Sequence, residues 1–167
     1  MYGFVSKARE PTDLVKAFYT LDILNVMLEN VDYLVNVLPA TPETNNLLSK
    51  ERLKHCKNVG FVNIGRGNII DEGDIIFALE NGLFRAAYLD VFNQEPLPAG
   101  SPLWSHENVT SRFQFGAGVN KYLIISVTPH VAGESRAEDI AQCFKSNVDK
   151  IEAGLEPDCL VKWDMLY

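Results

Sequence analysis

Three residues of this chain are of types that could act together on a carbonyl group: an arginine in a glycine-flanked turn (Gly65-Arg66-Gly67), a glutamate ahead of a proline (Glu95-Pro96), and a histidine between Pro129 and Val131. When a hydride reaches a carbonyl carbon, negative charge grows on the oxygen, and a protonated imidazole such as that of His130 can donate to it. A carboxylate beside the imidazole, the role open to Glu95, keeps it cationic near neutral pH. The guanidinium of Arg66 can fork onto a substrate carboxylate and fix the face presented to the hydride donor. Singly, each is weak. An arginine after glycine is usually a surface residue, and a glutamate before proline is usually solvated. His130 fits a satisfied core histidine equally well, and His55 and His106 stand in polar surroundings.

For the three to meet, the elements before them must end at one edge. Met1 to Val5 reads as a strand with the polar tip Ser6 to Arg9. Leu21, Ile23, Leu24, Met27 and Leu28 recur at helical spacing, and Tyr33 to Leu38 is a short apolar strand closed by Pro39. Leu47, Leu48 and Leu53 predict a helix before Val59 to Ile64, whose uninterrupted apolar character suits a strand buried on both faces and paired in parallel. Asp71 is placed to cap a helix carrying Ile75, Ile76, Ala78 and Leu79 and ending at Gly82. Ala86 to Val91 is the next strand, followed by a Pro- and Gly-rich loop. The closing helix has Ser135 and Glu138 as a capping box and a stripe of Ala137, Ile140, Ala141, Phe144, Val148 and Ile151 that should be buried. Strands alternating with helices predict a doubly wound α/β sheet, whose ligands sit at the carboxyl ends of the strands.

Composition narrows the partners. With 47% hydrophobic residues the chain can bury one real core. A net charge of -7 argues against a nucleic-acid or anionic-membrane surface, which would need clustered cations. Cys56, Cys143 and Cys159 are odd in number and widely spaced, so neither a disulfide framework nor a metal site is suggested, and reduced thiols in a cytoplasmic setting are expected. The start has no apolar leader, and no run is long enough to span a bilayer.

Taken in order, Leu38-Pro39-Ala40-Thr41-Pro42-Glu43-Thr44, Val62-Asn63-Ile64-Gly65-Arg66-Gly67, Asp71-Glu72, the run from Leu89 to Leu97, Pro102-Leu103-Trp104, and Thr128-Pro129-His130-Val131-Ala132-Gly133 resemble the coenzyme domain of D-isomer-specific 2-hydroxyacid dehydrogenases. Within that family the stretches around Asp90 to Pro98 and Ser101 to Trp104 are most similar to the glyoxylate/hydroxypyruvate reductase branch. The resemblance implies substrate carboxylate binding at Arg66, proton donation by His130 and support of that histidine by Glu95. It also implies that Leu38, Pro39 and Thr44 line the adenosine side of the cofactor, that Ile64 and Gly65 approach the nicotinamide ribose, that Asp90 bonds the carboxamide, and that Gly133 belongs to the cofactor-binding set. Ser6, Lys7 and Arg9 fall where the family's second strand ends beside the adenine ribose. A hydroxyl and two cations there suit the 2′-phosphate of NADP in preference to NAD.

Two departures qualify that expectation. The family's chain begins earlier, with a substrate domain and the GxGxxG phosphate turn. Here Gly65 with Gly67, and Gly116 with Gly118, lack the third glycine, so weak cofactor binding is expected; without the family's first strand the sheet is expected to be incomplete, with a pairing edge exposed at Met1 to Val5. Relative to the family, Thr110 to Ile125 are sixteen inserted residues. They fit a surface loop, or else Tyr122 to Val127 replaces the original strand and displaces Val109 to Phe115. The expected organisation is a partial NAD(P)-binding domain over 1–155, with the insertion near 110–125, and a tail over 156–167. An incomplete or alternatively spliced product would account for both departures. Two readings remain open: a reductase of a small 2-oxo acid using NADP or NAD, with a homodimer through the coenzyme domain, or an inactive module that binds nucleotide or pairs with another subunit.

Overall fold

The computed structural model describes residues 1–104, 124–127, 130 and 136–158. Contacts divide the chain into two compact units, Met1–Pro129 and His130–Tyr167.

In the first unit the strands form two parallel sheets. β1 (Tyr2–Phe4) pairs with β2 (Ala17–Tyr19), and β3 (Tyr33–Asn36), β4 (Val59–Asn63), β5 (Phe84–Leu89) and β6 (Ile124–Val127) lie side by side in that order. All of these pairings are parallel, so in the second sheet the carboxyl ends of four strands share one edge. β4 has neighbours on both sides and is almost wholly buried, as its apolar run demands. Its Phe61 stacks on Phe84 of β5 with ring centroids 4.9 Å apart. β3 is the edge strand of that sheet among the described residues, and its Tyr33 and Val35 are exposed. Ile124 to Val127 occupy the place beside β5, the outcome expected if the later apolar run serves as the strand. Residues 105–123, which hold the rest of the insertion, lie outside the described residues.

Helices α1 (Leu24–Leu28), α2 (Lys50–Leu53) and α3 (Glu72–Glu80) cover the core of the first unit. α3 begins as its sequence predicts: Asp71 Oδ1 accepts from the Gly73 amide at 2.8 Å, and Glu72 and Asp74 place negative charge in the first turn, where the helix dipole favours it. It buries Ile75, Ala78 and Leu79, and the chain leaves through Gly82 at φ +68.

Three local expectations differ from what the chain does. Leu21 to Ile23 wind as a 3-10 turn ahead of α1 instead of joining it. Leu47 and Leu48 are buried but not helical, because the amides of Asn46 and Leu48 bond to the carbonyls of Asn68 and Ile69 across the turn, leaving only Lys50–Leu53 to coil. The sequence assigns no element to Ala17–Tyr19, which is made a strand by its pairing with β1.

The second unit contains α4 (Ala137–Glu152). Arg136 stands at its N-cap with no side-chain cap bond, one residue later than the expected box requires, and Ser135 lies outside the described residues. The expected burial of its stripe is not observed: Ile140, Phe144 and Ile151 are 58%, 70% and 61% exposed. Polar pairs on the helix surface accompany it instead, Lys145 with Asp149 at 2.6 Å and Lys150 with Asp158 at 2.6 Å.

Candidate active site

At the shared carboxyl edge β3, β4 and β5 each run into a turn that carries polar residues. Beyond β3, Leu38 and Pro39 are half-buried, and Thr44 closes their turn by donating from Oγ1 to the Pro39 carbonyl at 2.8 Å while accepting from the Thr41 amide at 2.8 Å. Beyond β4, Ile64 is exposed, Gly65 is buried and Arg66 is exposed, with Nη1 of Arg66 donating to the Gly65 carbonyl at 2.8 Å. Asp90 follows β5, is 1% exposed, and donates its amide to the Asn63 carbonyl at 2.9 Å. Glu95 lies on the exposed turn after it, where Oε1 accepts from the Phe92 amide at 2.9 Å.

The turns of Arg66 and Glu95 touch through backbone. A Cβ added at Gly67 would overlap the Phe92 carbonyl, so only glycine lets the short helical turn Gly67–Ile69 lie against the chain leaving β5. The structure thus brings the turns of Arg66, Asp90 and Glu95 together in the first unit. His130 opens the second unit, exposed and at φ +55, three residues past the end of β6. Gly133 lies outside the described residues. Ser6, Lys7 and Arg9 are exposed on the chain leaving β1.

Two residues of this edge escape the sequence reading. Asn36 and Asn63 are the last residues of β3 and β4, are register partners, and are 4% and 1% exposed. Their amides bond to one another and to the turns that follow. The available signal was an asparagine closing each of two otherwise apolar strands.

The chemistry of the residues present suits the nicotinamide end of a dinucleotide: an exposed apolar Ile64 at the end of β4 and a carboxylate at Asp90 after the neighbouring β5. No turn among the described residues carries the three-glycine pattern that takes the pyrophosphate. Among the described residues no group of His, Cys, Asp or Glu could hold a metal, and no helix is long and apolar enough to cross a membrane.

Polar turns gathered at the carboxyl edge of a parallel, helix-covered sheet define the Rossmann-like class of α/β domains, here in partial form. Residues 2–112 match the family model described as D-isomer specific 2-hydroxyacid dehydrogenase, NAD binding domain, and the chain belongs to that family. It is 33% identical over 150 residues to glyoxylate/hydroxypyruvate reductase A of Escherichia fergusonii, a match covering 89% of this chain and 43% of that protein. The chain therefore spans less than half the length of this curated relative.

Solved structures agree. A D-isomer specific 2-hydroxyacid dehydrogenase from Xanthobacter autotrophicus, in complex with NADPH and MES, has a TM-score of 0.79 at 33% identity, over 99% of this chain and 62% of that one. An NADPH-dependent glyoxylate/hydroxypyruvate reductase from Sinorhizobium meliloti, in complex with NADP and sulfate, has a TM-score of 0.80 at 26% identity, over 99% of this chain and 48% of that one.

Proposed function

We propose that the chain carries the coenzyme-side machinery of a reductase that converts a small 2-oxo acid, of the glyoxylate or hydroxypyruvate type, to its 2-hydroxy acid. Supporting this reading above all is the backbone contact between the Arg66 and Glu95 turns at the edge where a doubly wound sheet takes its ligands. NADPH or NADH, when bound, would supply the hydride. Arg66 forks onto the substrate carboxylate and orients the carbonyl. His130 gives the proton that the new alkoxide needs, and Glu95 stabilises the cationic imidazole beforehand. Asp90 holds the carboxamide, Ile64 and Gly65 the adjoining ribose, and Leu38, Pro39 and Thr44 the adenosine side, with Gly133 completing the set. Ser6, Lys7 and Arg9 favour the 2′-phosphate of NADP. A cytoplasmic setting and a homodimer through this domain belong to the same reading. The segment near 110–125 is read as an insertion, supported by a family match that stops at residue 112 while β6 starts at Ile124.

A second reading rests on the open edge at β3 and the exposed Tyr33 and Val35. On that reading the chain binds nucleotide or a subunit without turnover. Purified chain with NADPH and glyoxylate or hydroxypyruvate, followed at the nicotinamide absorbance, separates the two. Turnover that is lost in His130→Ala is the result expected of a reductase. NADPH binding with no turnover above that control supports the module instead.

A further inference from the structure

We infer that Asn36 and Asn63 form a positioning pair that locks the Arg66 turn to the Leu38-Pro39 turn, so that the substrate-carboxylate group and the coenzyme wall are set as one unit. The inference rests on the reading above, in which Arg66 takes a carboxylate and Leu38 faces the coenzyme.

Every polar atom of the two side-chain amides has work on this edge. Asn36 Nδ2 donates to Asn63 Oδ1 at 2.8 Å, joining the ends of β3 and β4. Asn36 Oδ1 accepts from the Leu38 amide at 3.0 Å, and Asn63 Oδ1 accepts from the Gly65 amide at 3.3 Å. Both Nδ2 groups converge on the Arg66 carbonyl, at 3.4 Å from Asn36 and 3.3 Å from Asn63. The turns are also pressed together sterically: a Cβ on Gly65 would stand 2.8 Å from Asn36 Nδ2 and 2.9 Å from the Leu38 carbonyl oxygen.

The chemistry requires an amide. A buried aliphatic residue would leave the Leu38 and Gly65 amides and the Arg66 carbonyl to find other partners at a cost. A carboxylate could accept from Gly65 but could not donate to Arg66. Neither asparagine need touch substrate or coenzyme for this; each acts through the backbone of the residue that does. Charged groups around Asn63 are Arg66, on its own turn, and Asp90 after β5, whose amide donates to the Asn63 carbonyl.

Asn63→Asp turns the lock into a titratable one at constant size. Burial favours the neutral carboxylic acid, whose O–H can replace the lost donor to the Arg66 carbonyl; once ionised it cannot. The full chain is titrated with NADPH and with oxamate, an inert isostere of a 2-oxo acid, with affinities referred to the folded fraction from far-UV circular dichroism and wild type measured alongside. Oxamate affinity of Asn63→Asp is expected within about twofold of wild type near pH ~5.5 and weaker by about tenfold near pH ~8, the loss of one buried hydrogen bond. Asn36→Ala, which removes the partner of the Leu38 amide, is expected to weaken NADPH as well as oxamate. A variant-to-wild-type ratio that stays near one at both pH values, while only the unfolding midpoint moves, overturns the inference and leaves a purely structural pair. Should wild type bind neither probe, the functional reading itself fails, and hydrogen exchange then decides the lock. Unchanged protection of the Gly65 amide in Asn36→Ala, which leaves that amide's own partner Asn63 in place, would overturn it, and faster exchange there would sustain it.

Discussion

Helix α3 places Ile75, Ala78 and Leu79 in the core, whereas α4, with an apolar stripe of its own, leaves Ile140, Phe144 and Ile151 exposed. The two differ in what surrounds them. α3 is held at its start by the Asp71 cap, packs on β5 and α2, and ends on a left-handed glycine. α4 has a longer stripe, yet its ion pairs among the described residues are Lys145 with Asp149 on its own surface and Lys150 with Asp158 just beyond its end. Amphipathic spacing therefore states which face of a helix is suited to burial; it does not state that the unit holding the helix supplies a surface to bury it against.

Four measurements test that contrast. Thiol labelling should show the largest difference. Burial pushes the Cys56 thiol up to about 11, so its reactive thiolate is scarce until the pH approaches that value, whereas Cys143 sits exposed on α4. Around neutral pH Cys56 should label slower than Cys143 by at least about a hundredfold, with its rate climbing toward alkaline pH and the gap closing in denaturant. Comparable native rates would break the contrast. Leu79→Ala, at a residue 1% exposed, should cost about 2–5 kcal/mol by urea unfolding. Asp71→Ala, which strips the cap from the same helix, should cost about 1 kcal/mol in the same assay. Smallest is Phe144→Ala on α4, expected within about 0.5 kcal/mol. A loss there as large as that of Leu79→Ala would show that the α4 stripe is covered in solution after all.

The same pair of helices marks how far the sequence could be read. Asp71, the run to Leu79 and Gly82 announce α3 from local chemistry, and the unbroken apolar run before Asn63 announces a central parallel strand. Family motifs pointed to Arg66 and Glu95, and both stand on turns at the expected edge. What escaped depends on contacts distant in sequence. Ala17–Tyr19 becomes a strand through β1, and Leu47 and Leu48 are drawn out of helical form by carbonyls of residues 68 and 69. Asn36 and Asn63 gain their role when register sets them side by side. Gly67 reads as one more turn glycine until Phe92 is seen lying where its side chain would be.

The parallel order of β3 to β6 also bears on how quickly the native state is reached. Two adjacent strands running the same way cannot close through a tight hairpin; each pairing waits for a whole crossover to be gathered first. The chain must spend loop entropy before the sheet returns any stabilisation, which places it among the slower folders of its size. During that interval the apolar strands stand unpaired, so refolding yield should fall as protein concentration rises.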